Sequence, residues 1–114
     1  MKPSPTDFLP LHPLELRVLL AVIDGPSHAY RIVKEIEAVE GDRFRLHPAN
    51  LYRRIRDLAA KGLIEEVRAP NGEDVSDRSR TFYAPTKLGR QVAHAEAARL
   101  EELLRNARSV LRRA

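Results

Sequence analysis

Apolar residues recur along this chain in helical register over four stretches and in strand-like register over two. The first helical run spans about Pro13 to Asp24. Leu16, Leu19, Leu20 and Ile23 follow the i, i+3, i+4, i+7 spacing of one helix face, and Leu14, Val18 and Val22 widen it. Pro13 suits the first helical turn, and Gly25-Pro26 reads as the stop. A second helix is expected from Ser27, a good N-cap residue, to about Glu40, with Gly41 closing it. Its stripe is Ala29, Ile32, Val33 and Ile36, with Tyr30 and Val39 beside it, while Arg31, Lys34, Glu35 and Glu37 face water. Residues 42–46 alternate like a short extended connector. Residues 1–11 hold three prolines and read as an irregular arm whose Phe8, Leu9 and Leu11 can pack on something.

The third helix, Pro48–Lys61, has two chemically different faces. At about 100° per residue, Leu51, Ile55 and Leu58 share one side, flanked by Tyr52 and Ala59. The other side carries Ala49, Asn50, Arg53, Arg56, Asp57 and Lys61, with Arg54 at its margin. A front of small residues, an amide and arginines can enter a DNA major groove. The same pattern also fits an ordinary amphipathic surface helix. Tyr52 has two readings: a ring packed against a neighbouring hairpin, or a hydroxyl turned to a phosphate.

After Gly62 the periodicity changes. Leu63 to Ala69 and Arg80 to Ala84 read as two short strands around a polar loop at residues 71–79, a hairpin longer than a tight turn. Thr86 can cap a final helix running to about Arg113. Some 27 residues at about 1.5 Å each give a rod of roughly 40 Å, more than a three-helix core can cover. Leu100, Leu103, Leu104, Ala107, Val110 and Leu111 keep an apolar seam along its second half. An apolar seam that outruns its own domain calls for a partner, so a homodimer built on this helix is expected. The alternative is that the arm or the first helix folds over the seam within one chain.

Three helices, a two-stranded hairpin and a long helix form the order of a winged helix-turn-helix with a dimerising extension. The expected fold class is therefore mainly α, with an α+β wing. Residues 1–11 would be the arm, 12–85 the winged helix-turn-helix domain and 86–114 the dimerisation helix. In such a fold the third helix reads the major groove and the hairpin touches backbone or minor groove.

Charge placement agrees in part. The chain has 114 residues, 43% of them apolar, with 20 Lys and Arg against 16 Asp and Glu, a formal net charge of +4. The total is a weak indication of a polyanionic partner. Its placement says more, because the stretch from Arg43 to Arg56 holds five arginines and no acid. In the hairpin, Glu73, Asp74 and Asp77 would repel phosphate, so Arg78 and Arg80 are expected to make any wing contact.

Other chemistry finds little support. Cysteine is absent, which removes disulfides, thiolate metal sites and a cysteine nucleophile, and suits a reducing cytoplasm. The first residues lack the apolar core of a signal peptide, and no run approaches the roughly 18 apolar residues of a membrane span. A soluble, cytoplasmic protein is expected, with no membrane partner. The four histidines, His12, His28, His47 and His94, show no i, i+3 or i, i+4 pair. No phosphate loop, nucleophile elbow or metal-ligand cluster is visible, so no enzyme activity, metal or cofactor is expected. His28 reads as a polar residue in the first turn of the second helix.

Several segments also carry a resemblance. Gly25-Pro26-Ser27-His28-Ala29-Tyr30 resembles the Gly-Pro-x-His-Gly-Tyr segment of PadR-like transcriptional regulators. Asn50-Leu51-Tyr52-Arg53, followed by Leu58 and Lys61-Gly62-Leu63-Ile64-Glu65, is similar to that family's recognition helix and its exit. Arg80-Thr81-Phe82-Tyr83-Ala84-Pro85-Thr86-Lys87-Leu88-Gly89-Arg90 resembles its second wing strand and the start of its last helix. The likeness runs over about residues 11–105, to the branch with a single C-terminal helix. It implies a dimeric, ligand-responsive regulator, usually a repressor, that binds double-stranded DNA at a two-fold operator and answers to a small-molecule effector. Ala29 replaces the usual Gly, His47 stands where a Ser-like cap is common, and Pro85 where Leu or Ile is frequent. Tryptophan is absent, so a pocket flanked by tryptophans does not carry over. The alternative reading is a winged-helix module that offers the same surface to a protein.

Overall fold

The computed structural model describes residues 2–40, 48–69 and 81–114. A single 3-10 turn at Pro5–Phe8 is followed by α1 (Pro13–Asp24), β1 (Ser27–His28), α2 (Ala29–Glu40), α3 (Pro48–Ala60), β2 (Ile64–Val67), β3 (Phe82–Pro85) and α4 (Lys87–Arg113). The strands form an antiparallel sheet in the order β1-β3-β2. The expected connector at residues 42–46, the hairpin loop, and Arg78 and Arg80 lie outside the described residues.

The element order is the winged helix-turn-helix order, with three differences in detail. First, Ser27 is not the cap of α2. Ser27 and His28 form β1, pairing with Tyr83 and Phe82 of β3. The Ser27 hydroxyl donates to the Gly25 carbonyl at 3.1 Å, and α2 instead starts at Ala29, where His28 Nδ1 accepts from the Arg31 N–H at 3.1 Å. His28 is thus a buried strand residue whose ring meets Phe82 edge-on, rather than part of the helix's first turn. Two residues are too few for strand alternation to register in a sequence.

Second, the buried stripe of α1 is rotated from the expected one. Leu14, Val18, Leu19 and Val22 are buried, Leu16 and Ile23 are half-buried, and Leu20 is 48% exposed. The helix packs against α2, α3, β3 and α4, so its core face is set by four neighbours. Third, the arm is ordered. Its 3-10 turn lies on α4, Phe8 and Leu9 pack against the core, and Leu11 is buried.

The junction of α3, the wing and α4 is tightly specified. Gly62 takes φ +79°, a left-handed conformation that suits glycine. Thr86 caps α4, its hydroxyl oxygen accepting from the Gly89 N–H at 3.0 Å while donating to the Gly62 carbonyl at 2.6 Å. The Thr86 N–H also donates to the Leu63 carbonyl at 3.1 Å. Gly89 lies so close to that carbonyl that a Cβ there would sit 1.9 Å from the oxygen.

The first half of α4 is covered by α1, β3 and the arm. Glu96, 1% exposed, accepts from the Leu11 N–H at 2.8 Å and pairs with Arg99, whose Nη2 is 3.1 Å away. Beyond this point the helix projects. Leu100, Leu103, Leu104, Val110 and Leu111 are 38%, 54%, 52%, 47% and 70% exposed, and Ala107 is half-buried. The arm therefore covers the start of α4 and leaves the seam open.

Candidate nucleic-acid interface

Helix α3 is fastened by its back. Leu51, Ile55 and Leu58 are at most 1% exposed in the common core, with Tyr52 and Ala59 packed partly against it. This anchoring fixes the direction of every other side chain on the helix. Ala49, Asn50, Arg53, Arg56, Asp57 and Lys61 are exposed, and Arg54 and Tyr52 are half-buried.

The exposed set divides into two edges and a centre. One edge faces the start of α1. Lys61 Nζ lies 3.3 Å from Glu15 Oε2, and Glu15 Oε1 accepts the His12 N–H at 2.9 Å. His12 is the N-cap of α1, with Nδ1 accepting from the Leu14 N–H at 3.0 Å. Burial and the positive charge of Arg54 hold the His12 pKa below its ordinary 6.5, against a weaker opposing effect of Glu15. Arg54 thus lies within electrostatic reach of the α1 cap, and its Nε is buried without a hydrogen-bond partner among the described residues. Sequence reasoning left out His12 and Glu15. The signal was there, since a capping residue followed three positions later by Glu is a capping-box pattern.

The other edge faces the wing. Tyr83 in β3 has its phenol pushed above the ordinary range, first by burial and then by Glu66, with Arg56 acting in the opposite sense. Arg56 is therefore near enough to the β2–β3 strands to influence Tyr83.

Between these edges Ala49, Asn50 and Arg53 are exposed together, and among the described residues Arg53 is in no ion pair. Their chemistry suits base edges. An asparagine amide can bond adenine twice, an arginine fork can bond guanine twice, and a small apolar side chain can meet a thymine methyl. Of the expected site residues, Ala49, Asn50 and Arg53 share the open face. Arg54 and Lys61 lie on the α1 edge, and Arg56 on the wing edge. Tyr52 belongs partly to the core.

Among the described residues no group of three or more His, Cys, Asp or Glu side chains could hold a metal ion, and no helix is long and apolar enough to cross a membrane.

Comparison with known proteins bears on the fold and the family. A curated relative, the uncharacterized 37.1 kDa protein in transposon TN4556 of Streptomyces fradiae, is 35% identical over 89 residues, covering 78% of this chain. The chain spans only 23% of that protein's length. Among solved structures, a PadR family transcription regulator from Clostridium difficile superposes with a TM-score of 0.69 at 15% identity, covering 86% of this chain and 97% of that one. A transcriptional regulator from Clostridium thermocellum gives 0.66 at 20% identity, covering 84% and 87%. H. salinarum RosR gives 0.64 at 24% identity, covering 88% and 80%. At these identities the structural likeness establishes the winged helix-turn-helix fold. The model of the transcriptional regulator PadR-like family matches residues 18–95, well over half of the chain. By that match, the chain belongs to the transcriptional regulator PadR-like family.

Proposed function

We propose that this protein is a sequence-specific DNA-binding transcriptional repressor that acts in the cytoplasm as a homodimer on a two-fold operator. Residues 12–85 form the DNA-contacting unit, residues 86–114 the dimerising helix and residues 1–11 the arm. α3 enters the major groove, with Ala49, Asn50 and Arg53 at base edges. Arg54, Arg56 and Lys61 serve the flanking phosphates, Tyr52 links core to groove, and Arg78 and Arg80 reach the backbone from the wing. The observation that carries this reading is the outward-facing trio on a helix whose back is sealed into the core. Family membership supports the regulatory role.

The dimer is supported by the seam Leu100, Leu103, Leu104, Ala107, Val110 and Leu111, which a single chain leaves largely open. The effector reading is supported by an apolar groove of about 320 Å³ between α1 and α4, floored by Leu11, Leu16, Leu20 and Leu100. Repression follows from promoter occlusion. A small molecule near the α4 helices would change the spacing of the two recognition helices and release the operator.

Site selection on random or genomic duplexes, followed by titration at several salt concentrations, tests the reading. Binding that neutralises several phosphates weakens steeply with salt, with a slope of about −0.9 per phosphate contact. Absence of any selected duplex would turn the surface into a protein-binding one. Light scattering tests the dimer: a monomeric mass at micromolar concentration would remove it, and Leu104→Asp should convert a dimer to monomer.

A further inference from the structure

One edge of α3 runs beside the start of α1. Asn50, Arg54, Asp57 and Lys61 recur at intervals of three and four residues, so they share that edge. Lys61 Nζ lies 3.3 Å from Glu15 of α1, and Glu15 in turn accepts the His12 N–H at 2.9 Å. Arg54 is close enough for its charge to act on His12. Its guanidinium is uncommitted: among the described residues it has no ion pair or hydrogen bond, and its Nε is buried.

His12 has a donor to spare. Its Nδ1 accepts from the Leu14 N–H at 3.0 Å, and a backbone N–H can only donate, so Nδ1 carries no proton. Burial, then the charge of Arg54, holds the ring below its ordinary 6.5 against the opposing Glu15, so it is neutral at pH 7. A neutral imidazole bonded in this way carries its proton on Nε2. The residue is exposed, and that Nε2–H has no partner among the described residues. The cap bond therefore holds the ring in one tautomer beside an unpaired cation.

We propose that the start of α1 is part of the DNA-binding surface, where the His12 Nε2–H and the Arg54 guanidinium hold one and the same backbone phosphate. This rests on the reading of α3 as the DNA-contacting helix and adds a second element to that surface. Glu15 and Asp57 bring negative charge to the Lys61 end of the edge, so the phosphate belongs at the Arg54 end, one turn from Asn50. A contact there fixes where Asn50 stands along the base pairs, since phosphate contacts set the register of a reading helix.

The test uses the duplex recovered by site selection. His12→Ser keeps a good N-cap residue and removes the ring, so its urea midpoint should stay close to the original. Its duplex affinity should fall about tenfold, the loss of one hydrogen bond to a charged group. Because the lost donor is neutral, the salt slope should not change. Arg54→Gln should weaken binding and also lower the slope by about 0.9. The two losses should fail to add, as expected of two groups on one phosphate. Ethylation of that one phosphate should weaken the original chain and matter less to both variants. A His12→Ser chain that binds as tightly as the original, or variants relieved at different phosphates, overturns the α1 contact while leaving α3 as the reading helix. Recovery of no duplex by the unaltered chain removes both.

Discussion

Gly89→Ala is the sharpest test of how α4 is set against the wing. An unstrained carbon–oxygen contact is about 3.3 Å. The added methyl would stand 1.9 Å from the Leu63 oxygen and 2.9 Å from its carbonyl carbon. Both are backbone atoms, so no side chain can swing aside. The start of α4 would have to retreat by about 1.4 Å to reach an ordinary contact. That movement would break the Thr86 N–H bond to the Leu63 carbonyl, now 3.1 Å, and stretch the 2.6 Å Thr86 hydroxyl bond to Gly62. Overpacking costs about 1–3 kcal/mol. Each lost hydrogen bond adds about 0.5–1.5 kcal/mol. The better helix propensity of alanine returns roughly 0.5–1 kcal/mol. The net expectation is a loss of about 2–4 kcal/mol, on the order of 10 °C in midpoint for a domain of this size. Gly25→Ala is the matched control, because a Cβ there meets nothing within 4 Å and the backbone is extended. Urea and thermal unfolding followed by circular dichroism would compare the two. A Gly89→Ala protein within about 0.5 kcal/mol of the original, the usual scatter of neutral surface changes, would refute the close approach.

Three further outcomes are expected. The Arg99 hydrogen bond, aided by the Leu11 N–H, holds the Glu96 carboxyl below its ordinary 4.5 against burial. A carboxyl lowered on folding stabilises the fold above its unfolded value, and that stability is lost as pH falls through the folded one. The urea midpoint should therefore drop below about pH 4.5 more steeply in the original chain than in Glu96→Gln. His12 should titrate below 6.5 by proton NMR, because its folded pKa is lowered. Its stabilising effect is full above 6.5 and fades as pH falls through the folded value, and His12→Ala should cost about 1 kcal/mol as a lost cap. In duplex binding, Arg53→Ala should cost about 1–3 kcal/mol with changed base preference. Lys61→Met should cost less, since Lys61 is already paired with Glu15; equal effects would contradict the division of α3 into centre and edge.

Much of this fold is legible in the sequence because its helices carry strong punctuation. Pro13 and Gly25 bound α1, Pro48 and Gly62 bracket α3, and Thr86 starts α4, each for a local reason that no neighbour overrides. What was not legible depends on contacts between distant segments. The pairing of Ser27 and His28 with β3 satisfies backbone groups across more than fifty residues, so Ser27 looked like a helix cap. The α1 stripe shifted because α2, α3, β3 and α4 compete for the same helix. The arm looked irregular because its anchor, the Leu11 N–H on Glu96, joins residues 85 apart. The open face of α3 could be read from periodicity, since a buried back dictates its front. The edges could not be, because a cation that bonds a neighbouring helix and one that faces solvent share one spacing.

That division bears on what α3 is free to do. Its back is committed to the core through Leu51, Ile55 and Leu58. Its α1 edge carries the Lys61–Glu15 pair, with Arg54 within electrostatic reach of His12, and Arg56 on the other edge lies within electrostatic reach of Tyr83. The back of the helix and its α1 edge are thus engaged by the protein itself. Rigidity of this kind matters for reading bases, because a displaced arginine fork or amide loses the paired geometry that separates one base from another. The remaining direction holds Ala49, Asn50 and Arg53, near the helix's N-terminal end. These are short or forked side chains on a helix whose back is buried in the core.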